Sequence, residues 1–175
     1  MPISQIVTNS IADSAVVTVD IANGAVTQAK LGTGVASTGP AFHAYQTNGQ
    51  SFSSSTFTKV TFNNETFDTN SNFASSTFTP TVAGYYQVNG NVGFVGNATG
   101  FTMMEIYKNG GAYCRGSGIP NNVNIGGIVT ASTVVFCNGT TDFIELYAWQ
   151  NSGGALTLQT GSSINTFSAC LVRAA

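Results

Sequence analysis

Few residues in this chain are equipped for chemistry. Histidine occurs once, at His43, and a Ser-His-Asp arrangement would need that ring beside an activated serine. No Gly-x-Ser-x-Gly elbow is present to supply one, so His43, next to Phe42 in an extended run, reads as a strand-surface or interface histidine. Paired carboxylates are the other common device. Asp142 and Glu145 stand three apart, as do Glu65 and Asp68, and that spacing on a strand sends the two side chains to opposite faces. Cys114, Cys137 and Cys170 are odd in number and lack the CxxC spacing that a zinc site with His43 would need. They are expected to be small buried hydrophobes. Gly32-Thr33-Gly34 has neither the third glycine nor the βα unit of a dinucleotide site. The residues point away from an enzyme, and no cofactor or metal is assigned.

Composition narrows the field further. Only 7% of the 175 residues are charged, against roughly 25% in ordinary soluble domains, while 42% are hydrophobic. The polar remainder is Asn, Thr, Ser and Gly, which suits strands, turns and neutral surfaces. Lys30, Lys59, Lys108, Arg115 and Arg173 are scattered, so the basic stripe that nucleic acid requires is missing. No run of about 18 apolar residues occurs, and no membrane insertion is expected. Met1-Pro2-Ile3-Ser4-Gln5 lacks a basic region followed by an apolar run, so Sec-type secretion is not expected either. The glycosylation-type triplets at Asn64, Asn97 and Asn138 carry no meaning in that setting.

The elements that position these residues fall into two parts. In residues 1–36, Ile11-Ala12-Asp13-Ser14-Ala15-Val16 returns as Ile21-Ala22-Asn23-Gly24-Ala25-Val26, a period of about ten. Ile6, Val16 and Val26 share one phase; Ile11, Ile21 and Leu31 share another. Aliphatics this sparse cannot offset the entropy of ordering a lone chain. The repeat is therefore expected to stack on identical chains or on a partner, as a shaft or anchor. A small-residue linker with Pro40 separates this arm (1–38) from the rest (39–175).

Beyond the linker everything reads as β. Ten strands are expected, near 41–47, 57–62, 77–82, 84–95, 101–108, 112–116, 124–137, 142–150, 155–160 and 164–172. Asn109-Gly110 signals a type I′ hairpin turn. In 84–95, Tyr86, Val88, Val92 and Phe94 fall on one face and Gln87, Asn89 and Asn91 on the other. Strand 142–150 is apolar on both sides: Ile144, Leu146 and Ala148 line one face, Phe143, Tyr147 and Trp149 the other. A second subunit is the natural cover for the outer set, which makes those three aromatics the candidate subunit contact.

Phe62, Asp68, Phe73, Phe78, Gly84 and Tyr86 follow one another in an order that resembles the complement-1q/tumour-necrosis-factor-like family. Phe42 resembles part of its opening strand, and Phe167-Ser168-Ala169-Cys170-Leu171 its closing strand. The interval from Phe73 to Phe78 is two residues short of the family's, and Val88 and Gly90 stand where aromatics are customary. The resemblance spans residues 41–173 and implies an all-β, ten-stranded jelly-roll sandwich assembled as a homotrimeric head. Some relatives hold calcium near the apex, but no Asp-x-Asp loop is present and no ligands are assigned. The repeat around Ile11-Ala12-Asp13 resembles segments of bacteriophage and cyanophage fibres, where it takes the place of a collagen stalk.

These resemblances imply a virion surface protein made in a bacterial cytoplasm. The first function expected is a tail-fibre or tail-tip knob that binds a host surface glycan or protein. Loops near 94–101, 116–124 and 150–155 would carry the contacts, with Asn97, Thr99, Phe101, Ser117, Asn121 and Asn122 as candidates. Phe101, Tyr113 and Trp149 are candidates to stack on sugar rings, with core packing or subunit contact as the alternative for each. The second function is a capsid decoration, cement or head-fibre protein, favoured by the short chain. In both, the arm docks on other virion proteins through Ile6, Ile11, Val16, Ile21, Val26 and Leu31.

Overall fold

The computed structural model describes residues 21, 22, 25, 39–97, 99–121 and 126–175. The chain separates into two units, Met1–Ser37 and Thr38–Ala175. In the first, Ile21 is exposed, and Ala25 N–H donates to the Ala22 carbonyl at 2.9 Å. Ile6, Ile11, Val16, Val26 and Leu31 lie outside the described residues.

The second unit is built of antiparallel strands, with no helix among the described residues. In chain order they are β1 (Ala41–Tyr45), β2 (Ser51–Phe52), β3 (Thr58–Lys59), β4 (Asn64–Asp68), β5 (Phe73–Ala74), β6 (Thr77–Phe78) and β7 (Gly84–Gly93). Then come β8 (Phe101–Lys108), β9 (Gly111–Pro120), β10 (Ile128–Cys137), β11 (Ile144–Gln150), β12 (Leu156–Thr157) and β13 (Thr166–Ala174). One sheet has the order β10-β7-β13-β1-β4; the other has β5-β6-β11-β8-β9, with β3 also paired to β11. The long strands β7, β10 and β13 lie in the first sheet and β8, β9 and β11 in the second, so the chain crosses repeatedly between the two and wraps as a jelly roll.

All ten expected strands are present, mostly with tighter bounds, and β2, β4 and β5 are additional. Alternation decides the faces. Tyr86, Val88 and Val92 of β7, together with Phe94 just beyond it, point inward and meet Met104, Ile106, Ile144 and Leu146 from the opposite sheet in one buried cluster. Each such side chain contributes on the order of 1.5–3 kcal/mol on leaving water. At the β8–β9 hairpin, Asn109 and Gly110 hold φ values of 53° and 78°, as the type I′ turn demands.

Position 90 explains one departure from the family pattern. A Cβ on Gly90 would collide with the Leu146 side chain, which fills the room an aromatic would otherwise take. The sandwich is also drawn together along β9 and β10. Gly116 packs on the Thr130–Ala131 backbone, and Ser117 Oγ accepts the Thr130 N–H at 2.7 Å.

Candidate functional site

The residues that carry the family resemblance form the interior rather than a surface. Phe42 stacks on Phe73 and Phe78, with ring centroids 4.5 and 4.6 Å apart, and meets Phe167 edge-on at 4.9 Å. Phe62 packs on Phe167 at 5.6 Å. Asp68 holds the turn before β5: its carboxylate accepts the Asn70 and Phe73 N–H groups at 3.3 and 2.8 Å. Tyr86 is buried, its hydroxyl donates to the Val82 carbonyl at 2.7 Å, and burial, then Cys137, pushes its pKa up to about 12. Gly84 lies against the Arg173 carbonyl and Leu171, leaving no room for a side chain.

The loop residues proposed for receptor contact are only partly a cluster. Asn97 Oδ1 accepts the Thr99 N–H at 2.9 Å, Thr99 Oγ donates to the Ser152 carbonyl at 3.1 Å, and Asn121 Nδ2 donates to the Thr99 carbonyl at 2.7 Å. Phe101 N–H donates to Asn151 Oδ1 at 2.6 Å. Three parts of the chain, at residues 97 and 99–101, at 121 and at 151–152, therefore meet at one end of the sandwich. Ser117 does not belong there. Residues 116–120 are strand rather than loop, because Gly118 and Pro120 continue the pairing of β9 with Met103 and Phe101. Asn122 lies outside the described residues.

Strand β11 places Ile144, Leu146 and Ala148 in the core, and Tyr147 and Trp149 half-buried on the outer face; Phe143, also half-buried, precedes it. The outer rings already have neighbours within the chain. Tyr147 stacks on Tyr107 at 3.9 Å, and Phe57 sits 6.2 Å from Trp149 and 6.3 Å from Tyr107. Burial followed by Glu145 raises the Tyr147 pKa, and burial followed by Glu105 raises that of Tyr107. Both phenols hold their protons, and Tyr147 shares its own with Glu145. Glu145 accepts from Lys59 at 2.7 Å and Thr77 at 2.9 Å; Glu105 accepts from Arg115 at 2.6 Å.

The more exposed apolar surface is on the other sheet, and sequence reasoning passed over it. Tyr85, Ile128, Val134, Phe136 and Val172 all face out, with Tyr85 and Phe136 5.4 Å apart. A hollow of about 570 Å³ lies beside them, lined by Tyr85, Val172, Arg173, Ala174 and Ala175. Strands β7, β10 and β13 contain no Asp or Glu, and Arg173 is their sole basic residue. Next to the apolar end runs a neutral ladder: Gln87 Nε2 donates to Ser132 Oγ at 2.9 Å, Ser132 to Asn89 at 2.8 Å, and Asn91 to Thr166 at 2.7 Å. The period-two alternation of β7 and β10 was the available signal, since it puts Tyr85 and Phe136 outside.

His43 and Asp142 are engaged within the fold. His43 bonds Thr66 Oγ at 2.9 Å and lies over Phe67 at 6.2 Å. Asp142 precedes β11, where hydrogen bonds from Asn109 and Lys108 hold its carboxyl below the ordinary value. The cysteines correct the expectation in part. Cys137 is buried, but Cys114 is half-buried and Cys170 exposed, because β13 turns Cys170 to the outer face in register with Gln87.

No family model and no curated protein sequence matches the chain. Solved structures do match its fold. The globular domain of zebrafish complement 1qA is similar at 16% identity and TM-score 0.56, over 78% of this chain and 99% of that one. Murine APRIL at pH 5.0 is similar at 11% identity and TM-score 0.60, over 77% and 99%. Eiger TNF from S. frugiperda is similar at 9% identity and TM-score 0.56, over 78% and 92%. The fold is thus the complement-1q/TNF-like jelly roll.

Proposed function

We propose that this protein is a homotrimeric virion surface protein of a bacteriophage, a tail-fibre or tail-tip knob that binds a host surface receptor. The observation that carries the trimer is the outer face of the five-stranded sheet. Tyr85, Val134, Phe136 and Val172 are exposed there among neutral partners, at the end where the chain enters the head through Pro40. Burying such a patch between copies removes apolar area from water without stranding a carboxylate. This face takes the contact in preference to Phe143, Tyr147 and Trp149, whose rings are already partly covered within the chain. Cyclic closure of three heads gives three equivalent copies of each remaining surface, and weak sites then act together.

The attachment role rests on the neutral, loop-bearing head and on the resemblance of the repeat to phage-fibre segments. Residues 1–38 serve as the anchor to other virion proteins. Antibody-gold labelling of virions tests this reading: label on the tail is expected, and excess soluble trimer should slow phage adsorption to host cells. Label over the capsid, without competition, would instead establish the decoration role.

A further inference from the structure

The outer face of the six-stranded sheet remains open once the five-stranded sheet is buried between copies. Its side chains alternate in type across neighbouring strands. One row runs Lys59, Tyr147, Glu105, Arg115 through β3, β11, β8 and β9. In the next row Glu145 faces Tyr107, and beyond Tyr147 on β11 stands Trp149, opposite Met103. Two aromatic rings and two carboxylates thus form a chequered square, with Trp149 and Phe57 extending the aromatic side.

Three properties of this face select a ligand class. Glu105 and Glu145 are largely buried, and each has its cation, so the two negative and two positive charges balance. With both ion pairs closed the face carries no net charge, so a neutral ligand can lie on it without leaving a charge uncompensated. Glu105 uses Oε1 for Arg115, while its Oε2 receives no donor from the described residues. The Arg115 side chain is 68% exposed and, with the Tyr107 phenol near Glu105, offers donors on the same face, while the Tyr147 phenol bonds Glu145. Aromatic rings next to carboxylates, hydroxyls and a guanidinium match a pyranose, whose C–H face packs on rings while its hydroxyls both donate and accept.

We propose that this strand face, around Tyr107, Tyr147, Trp149 and Glu105, is the binding site for a neutral saccharide. The inference rests on reading the head as an attachment domain and moves its ligand contacts from the loops to the sheet. The face is shallow, so one site binds weakly and the assembled head gains strength by avidity.

Trp149 is the chain's only tryptophan and reports on the site directly. The full chain would be titrated with maltohexaose, cellohexaose, mannohexaose, chitohexaose and dextran sulfate. Trp149 emission and saturation-transfer NMR on the sugar are read in parallel. At least one neutral hexasaccharide is expected to bind saturably, with affinity changing less than twofold between 0.1 and 1 M salt, as roughly expected without ion-pair screening. Glu105→Gln and Tyr107→Ala should each weaken that binding by about tenfold or more while the assembled mass stays unchanged. The proposal is overturned if no neutral sugar binds, if only dextran sulfate binds, or if both variants bind as well as the parent. It is equally overturned if Trp149→Ala dissolves the assembly, because the face would then lie between copies. A protein that competes for adsorption yet ignores these sugars would keep the attachment role and lose this site; one that binds them without competing would do the reverse.

Discussion

Phe42 shows how a single residue ties the sandwich together. It leaves β1 of one sheet and touches Phe73 and Phe78 of the other, as well as Phe167 of its own. Phe42→Ala should lower stability by about 3–5 kcal/mol, because the three neighbouring rings cannot collapse into the space; urea unfolding would read it as a lower midpoint with an unchanged slope. Cys137 is a different case. Burial pushes its thiol from 9.0 up to about 11, and Tyr86 beside it rises from 10.0 to about 12. Both groups are favoured neutral in the fold, so their contribution is complete below pH 9 and is lost as pH rises through 11 and 12. Cys137→Ala should therefore flatten the fall of Tm between pH 9 and 11, and an equally steep fall in the variant would deny the buried thiol its part.

At the scale of elements, β9 and β10 depend on glycine for their approach. A side chain at Gly116 would run into the Thr130 backbone, whereas Gly154 has nothing within 4 Å of an added Cβ. Gly116→Val is expected to destabilise by about 1–3 kcal/mol, through overpacking against backbone that cannot move aside. Gly154→Ala should stay within about 0.5 kcal/mol of the parent. Differential scanning calorimetry of the pair separates the two. The same glycines mark where the sequence was hard to read. Gly116-Ser117-Gly118 has loop composition, yet pairing with β8 makes it strand. Strand β4, Asn64-Glu65-Thr66-Phe67-Asp68, is a polar edge with no buried face to set up an alternation, and β2 and β5 are two residues each. Those three strands were invisible for that reason. The long strands were legible, because Tyr86, Val88 and Val92 in β7 and Ile144, Leu146 and Ala148 in β11 announce a buried face by period two. Surfaces were less legible than the core. Tyr147 and Trp149 look unpartnered along the sequence, while Tyr107 and Phe57, which cover them, come from elsewhere in the chain.

For the whole molecule, the five-stranded sheet cannot be the final surface if the account is right. Its outer face carries Tyr85, Val134, Phe136 and Val172 in the open and holds no carboxylate on β7, β10 or β13. A neutral, partly apolar sheet of this kind buries well against copies of itself, and closed symmetry limits the assembly to a fixed number. Phe136→Asp places a charge in the middle of that contact and should dissociate the assembly, whereas Trp149→Asp should leave it intact. The deciding measurement is the mass of the purified full chain by multi-angle light scattering at micromolar concentration. The account predicts three times the 18.1 kDa of one chain for the parent, with Phe136→Asp falling to a single chain while its core remains folded by near-ultraviolet circular dichroism. A stable 18.1 kDa parent, or a trimer that survives Phe136→Asp and is broken by Trp149→Asp, would contradict it.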